Sequence, residues 1–442
     1  MRLRTPAALA AGALFALAPA CLSRAGPGPA ADPAAGITGG AGGTPVVVTT
    51  LADAGEGSLR EALSGGQRIV TFGVCGRIRL SRPLQIEHDD ITVDGSTAPC
   101  GQGVQITDEA IRIRARNVIL RQLDLRLGEG SRSPWSTDPI EISASDRILL
   151  DHLSVAWGTD ELLSIHDYDG PVGRVVVRDS LFYEALRSPA EGRVCSDVPK
   201  KPCRDPARDC PGAGARCVGR HHAFGPLVTG RVAEVVFLRN VFAALDDRVP
   251  RVNGADRGRG LTRVRMLDNL LYGTRYGLRL GRGGGRGSPA WRIEADVVGN
   301  VMRGHPEARS LVEVTPGTPQ PITVYLRDNF DSRRRSPVQP EARVCRGPCR
   351  LREEPHAPLP PLVPARDLVA RLLAEAGNTR PCRDAADRRV LAAISRGRAL
   401  PVIDQTAEVG GFPDLRQACA VAAPASGAPP PAPRLVEPVS GR

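Results

Sequence analysis

Four short runs decide how this chain folds: Val235-Val-Phe-Leu-Arg-Asn240, Val264-Arg-Met-Leu-Asp-Asn269, Glu294-Ala-Asp-Val-Val-Gly-Asn300 and Val324-Tyr-Leu-Arg-Asp-Asn329. Each is rich in β-branched and aliphatic residues and closes on an asparagine, and the asparagines recur at intervals of 29, 31 and 29 residues. Towards the N-terminus, related runs end at Ser96, Leu123, Leu153 and Ser180, spaced 27, 30 and 27 apart. The next interval, from Ser180 to Asn240, is 60 residues, which fits a cysteine-rich insertion near 188–224 that either fills one coil or enlarges one. A repeat of this size, holding several short strands, cannot bury its apolar side alone and must stack on its neighbours. The expected fold is therefore all-β, a parallel β-helix. The asparagines should stack as a ladder, with Phe182, Phe242, Leu271 and Met302 aligned two places further on. A sandwich or barrel predicts turn signals every ~8–12 residues, which fits less well.

A solenoid needs caps, because its end coils expose core and unpaired strand edges. Ser58-Leu-Arg-Glu61 has a capping-box pattern and predicts an N-terminal cap helix. The β pattern is expected to stop after about Ser336; residues 355–364 are a proline-rich linker, and Leu368–Ala376 and Asp384–Arg396 read as helices that pack back on the solenoid. The expected organisation is a signal peptide over 1–20, a flexible Gly/Ala/Pro linker over 21–44, the β-helix over 45–336, a C-terminal extension over 337–415 and a Pro/Ala-rich tail over 416–442.

Export is read from Met1-Arg2-Leu3-Arg4, the following Ala/Leu run and the small residues before Cys21. Cleavage there is either ordinary or leaves a lipid-modified Cys21 that would anchor the chain to a membrane. Ten cysteines remain, an even number suited to disulfides in an oxidising compartment. Cys195, Cys203, Cys210 and Cys217 contain no CxxC pair and no adjacent His, so a stapled loop is expected there rather than zinc.

The chain has 442 residues and a net charge of +11, with Lys200 and Lys201 its only lysines. This excess of arginine favours polyanionic partners. No basic run is interleaved with aromatics, so an acidic polysaccharide is favoured over nucleic acid. The glycine-rich segment 281–287 lacks a following Lys-Ser/Thr and is assigned no nucleotide. A monomer is expected.

The stretch Ile148-Leu-Leu-Asp-His152-Leu-Ser-Val-Ala-Trp157-Gly-Thr-Asp160-Glu161-Leu-Leu-Ser164 resembles the Asp-His and Trp-Gly-Thr-Asp-Glu signature of the pectate lyase superfamily, in particular the first polysaccharide lyase family. Arg248-Val-Pro250-Arg251-Val-Asn253-Gly254 is similar to that family's Arg-x-Pro segment. Gly57–Leu63, Arg383-Asp-Ala-Ala-Asp-Arg388 and Val409-Gly-Gly-Phe-Pro413 also match in order. The resemblance implies a secreted right-handed parallel β-helix enzyme that cleaves pectate by Ca²⁺-assisted β-elimination. It implies Ca²⁺ ligands at Asp138, Asp160 and Glu161, proton abstraction by Arg248, and substrate contacts from Arg187, Arg251 and Asn253. Two positions depart from the pattern: Asn253 stands where many members carry a second arginine, and Ser164 where some carry a further metal-binding carboxylate.

Other readings follow from the residues themselves. A β-helix that only binds polysaccharide would not need the cation-plus-carboxylate cluster. A glycoside hydrolase on the same solenoid would need paired carboxylates, for which Asp246-Asp247 is a candidate. His152 is expected as a hydrogen-bonded core or turn residue, Trp157 as packing, and His221 and His222, with no acidic or Cys partner at ligand spacing, as surface or cleft-lining residues.

Overall fold

In the computed structural model the aliphatic runs do stack. The structure describes residues 32–415, apart from 100–101, 132, 134–135, 188–192, 199–200, 202, 204, 219–220, 306 and 332–348. The leader, Cys21 and the tail lie outside these residues. Apart from a two-stranded antiparallel pair in the insertion, the described strands form three long parallel sheets of eleven, eight and nine strands, to each of which every complete coil contributes one strand. In the eleven-stranded sheet Ile91, Val118, Ile148, Val175, Val235, Val264, Ala295 and Val324 lie in register, one per coil. All eight are buried, so this inward row forms part of one continuous core. This is the parallel β-helix expected from the repeats. No helix among the described residues is long and apolar enough to cross a membrane.

The ladder lies at the corner after that sheet. The backbone N–H groups of Ser180, Asn240, Asn269 and Asn300 donate to the Oδ1 atoms of Asn240, Asn269, Asn300 and Asn329 at 2.8–3.0 Å. The Nδ2 of Asn240, Asn269 and Asn300 each donates to the next Oδ1 as well, at 2.9–3.1 Å. Each rung follows a residue of positive φ, including His152, Asp179, Arg239, Asp268, Gly299 and Asp328. Asp and Asn tolerate that backbone region and Gly has no Cβ to oppose it. His152 thus occupies a turn, where its Nδ1 pairs with Asp151 at 2.6 Å.

The 60-residue interval is a single enlarged coil, because Val172–Arg178 pairs directly with Val232–Leu238. The inserted loop is stapled by Cys195–Cys210 and Cys203–Cys217. Cys75, Cys349 and Cys382 are disulfide-bonded as well.

Two boundaries differ from those read in the sequence. The strand Cys349–Leu351 extends the eleven-stranded sheet beyond Ser336 by pairing with Ile322, Thr323 and Val324. Its three residues are too few to show periodicity amid arginine and proline. In the other case, residues 34–43 of the expected linker dock on the solenoid: Asn117 Oδ1 accepts from the N–H groups of Thr38 and Gly39, and Ala34 and Ile37 are buried.

The N-terminal cap is one turn, Leu59–Ala62, with Ser58 as N-cap accepting from the Glu61 N–H at 3.2 Å. At the other end, the helices Ala365–Glu375 and Ala385–Ser395 lay Leu368, Leu372, Val390, Leu391 and Ile394 against the nine-stranded sheet. Fully buried Arg126 fastens this clasp, donating through Nη2 to Asp384 and Asp387 at 2.7 Å each and to Asp124 at 3.3 Å. Three carboxylates face one guanidinium there, so burial, with the charge of Asp384, pushes the Asp124 and Asp387 carboxyls up. Trp157 is packing, as expected: it is fully buried with Phe412 set edge-on at 5.1 Å.

Candidate active site

Strands of the eight-stranded sheet alternate, sending Ile, Leu and Val into the core and, Leu227 apart, polar residues outward. Stacking aligns the outward positions into one row: Gln85, Arg112, Glu141, Ser164, Leu227, Arg251, Arg279 and Glu313. The segments that enter this sheet carry Asp138, Asp160, Glu161 and Arg248, so residues up to 110 apart in sequence converge.

Asp138, Asp160 and Glu161 come together, with one potential ligand oxygen from each within 4.8 Å of the others. Asp138 Oδ1 accepts from the Glu161 N–H at 2.7 Å, and its Oδ2 accepts from the Ser164 hydroxyl. Ser164, one of the two departures from the family pattern, thus orients Asp138 instead of supplying a charge. Glu161 is ion-paired with Arg248 Nη1. The Arg248 guanidinium lies 3.9 Å from the Phe224 ring centroid, a cation–π contact, and its backbone is left-handed at φ 61°. Arg251 and Asn253 act as one unit, since Arg251 Nε donates to Asn253 Oδ1 at 3.0 Å and Arg251 Nη2 to the Arg282 carbonyl at 3.1 Å.

Arg187 is not brought into this cleft. Its guanidinium forms a two-pronged pair with Asp404 of the C-terminal segment, at 3.1 and 3.0 Å. The paired aspartates considered for hydrolysis are likewise engaged by arginine: Asp247 with Arg279 at 2.5 Å and Asp246 with Arg275 at 3.8 Å.

His222, which has no acidic partner at ligand spacing in the sequence, gains one in the fold. It is buried, its Nδ1 lies 2.8 Å from Asp160 Oδ1, and its Nε2 lies 3.4 Å from the Ser136 hydroxyl. Sixty-two residues separate the pair, so no local spacing could have signalled it.

Electrostatics follow from this packing. Burial pushes the Asp138 carboxyl well above the usual carboxylate range, and the neighbouring Asp160 charge adds to it. Burial lowers the proton affinity of Arg248; Asp160 opposes that shift, while Arg251 and Arg279 add to it. The crowded oxygens are hard donors of the type that suits Ca²⁺, and a divalent cation would offset their mutual repulsion. On donor chemistry and spacing, the three carboxylates fit such an ion.

Two cavities adjoin along the row and share Tyr168, Leu227, Thr229 and Arg248. One, of about 520 Å³, holds the carboxylates with Arg112 and Arg114. The other, of about 1030 Å³, is lined by Arg231, Arg251, Arg257, Arg282 and Arg286. They form one cleft with an acidic arm and a basic arm.

No protein-family model matches the chain. It is 34% identical over 299 residues to a protein of Aspergillus fumigatus named probable pectate lyase C, covering 67% of this chain and 58% of that protein. It is 38% identical over 180 residues to a protein of the same name from Emericella nidulans, covering 40% of this chain and 41% of that one. The matched segments thus span roughly half the length of these curated relatives. Among solved structures, a thermostable pectate lyase superposes with a TM-score of 0.50 at 12% identity, covering 77% of this chain and 94% of that one, a likeness of fold. With the ordered repeats, the parallel sheets and these relatives in hand, the chain belongs to the pectate lyase superfamily.

Proposed function

We propose that this protein is an exported lyase that cleaves polygalacturonate by β-elimination, assisted by Ca²⁺. The observation that carries the reading is the juxtaposition, at one solvent-open cleft, of Arg248 with the carboxylates of Asp138, Asp160 and Glu161. Disulfides in the insertion support export, because such bonds persist in oxidising compartments.

The difficult step is loss of the proton from the carbon next to the uronate carboxylate, which leaves charge spread onto that carboxylate. Asp138, Asp160 and Glu161 would hold Ca²⁺, which supplies positive charge to the substrate carboxylate. The chain's own part is to orient the sugar and move the proton. Arg248 takes the proton in its neutral form, which burial and the nearby charges of Arg251 and Arg279 favour; the electron pair of the broken carbon–hydrogen bond forms the new carbon–carbon double bond, and the glycosidic oxygen departs and is protonated by water. Phe224 beneath the guanidinium and the left-handed backbone fix where Arg248 points. Arg251, held by Asn253, faces the substrate from the basic arm.

The test is ultraviolet absorbance from unsaturated uronide ends when polygalacturonate is incubated with protein and Ca²⁺. The wild type should give a rise that chelator abolishes. Arg248→Ala should lower the rate by at least about a thousandfold. A wild type that releases reducing ends without that absorbance would overturn elimination.

A further inference from the structure

Tyr168 is 80% exposed, far more than any other large apolar side chain of the described residues. Exposure alone would mean little for a tyrosine on a loop, but this one is held in place. Its ring stacks on His166 with centroids 4.2 Å apart and planes 29° from parallel, and His166 is itself buried. The two residues beside it are pinned in opposite directions along the solenoid. Asp167 pairs with Arg231 on the next coil at 2.8 Å, and Asp169 with Arg114, two coils back, at 2.8 Å. The Asp169 N–H also donates to the Ser143 hydroxyl at 3.0 Å. Asp167 further fills the space above Gly230, where a Cβ would meet its carboxylate at 2.0 Å. The ring is therefore preorganised at the junction of the acidic and basic arms, lining both cavities.

We propose that Tyr168 is a sugar-stacking platform that seats a uronate residue of the bound polymer between the carboxylate cluster and the arginines. This rests on the polyuronide reading above and adds to it a binding residue and the face of the sugar it meets. A pyranose ring presents a C–H face that packs on an aromatic ring, while its carboxylate needs a cation; the arrangement here offers both at once. Arg248 and Arg251 flank the platform on the basic side, so one polymer can lie on the ring and turn its carboxylates to the arginines. The arm that carries Tyr168 is secured by ion pairs to two other coils, so little ordering remains to be done when substrate binds.

The test is calorimetric binding of trigalacturonate and hexagalacturonate, with Ca²⁺, to the Arg248→Ala protein, which does not consume them. Adding Tyr168→Ala should weaken hexagalacturonate binding by about tenfold, and Tyr168→Phe, which keeps the ring, should restore it to within about twofold. The Ca²⁺-induced rise in Tm should be the same in all three proteins, which separates loss of the platform from damage to the metal site. Equal hexagalacturonate affinity with and without the ring overturns the platform and leaves the lyase reading standing. Failure of the wild type either to bind or to cleave any oligogalacturonate overturns both.

Discussion

The asparagine ladder and the charged cleft are both rows of polar side chains stacked coil upon coil, yet one is scaffold and the other is open to a ligand. In the ladder every rung is neutral, and its amide is met by the next coil and by backbone carbonyls such as those of Val177, Phe237 and Met266. Nothing is left over for a partner. In the cleft the row mixes Arg112, Glu141, Ser164, Arg251 and Arg279, and the segments beside it add Arg248 and three carboxylates crowded within 4.8 Å of one another. The same stacking geometry thus yields stability when donors and acceptors match within the chain. It yields a binding surface when charges are segregated into two arms.

Neutralising part of the cleft should have the largest effect. Asp160→Asn preserves shape and the contact with His222 but removes one charge from the carboxylate cluster. Ca²⁺ affinity, followed by calorimetry, should fall by about a hundredfold, with the Tm of the metal-free protein little changed. An unchanged affinity would remove Asp160 from the ligand set.

A cut in the ladder should have the opposite signature. Asn269→Ala deprives the Asn240 N–H and Nδ2 of their acceptor and the Phe237 carbonyl of its donor, all in the interior. Unfolding free energy measured by denaturant should fall by about 2–4 kcal/mol, while Ca²⁺ affinity of the folded protein holds. Loss of Ca²⁺ binding together with stability would mean that ladder and cleft are not separable.

The smallest effect concerns a charge placed directly beside the ladder. Asp268 precedes Asn269 and accepts from the Val363 N–H at 2.6 Å; burial raises its pKa to about 6. A carboxyl raised in the folded state favours folding at low pH, and that contribution is lost as pH rises from about 4 through about 6. Asp268→Asn should therefore raise Tm by about 2–4 °C at pH 8 and leave it unchanged at pH 4. An equal shift at both pH values would assign the gain to packing rather than charge.

Much of this was legible in the sequence. The repeat interval fixed the stacking because each coil must align its apolar positions with the next, so Asn240, Asn269, Asn300 and Asn329 signal their own neighbours. The family resemblance implies Asp138, Asp160, Glu161, Arg248, Arg251 and Asn253, and they meet in and around one cleft. It implies Arg187 as well, yet that guanidinium turns to Asp404, a partner 217 residues away. The docking of residues 34–43 was hidden by composition, because glycines with little apolar pattern give no sign that Asn117 will hold them.

By itself, then, the sequence determined the solenoid, its coil length and its ladder, since these depend on periodicity and local turn preference, and the residue types of its cleft through its family resemblance. Tertiary structure alone decided that His222 meets Asp160, that Ser164 orients Asp138, that Arg126 fastens the C-terminal clasp, and that Tyr168 stands out between the two arms. The first depends on which coils lie side by side once the insertion has been looped out, and the others on how neighbouring coils and the C-terminal helices pack. Only the register of the folded sheets carries that information.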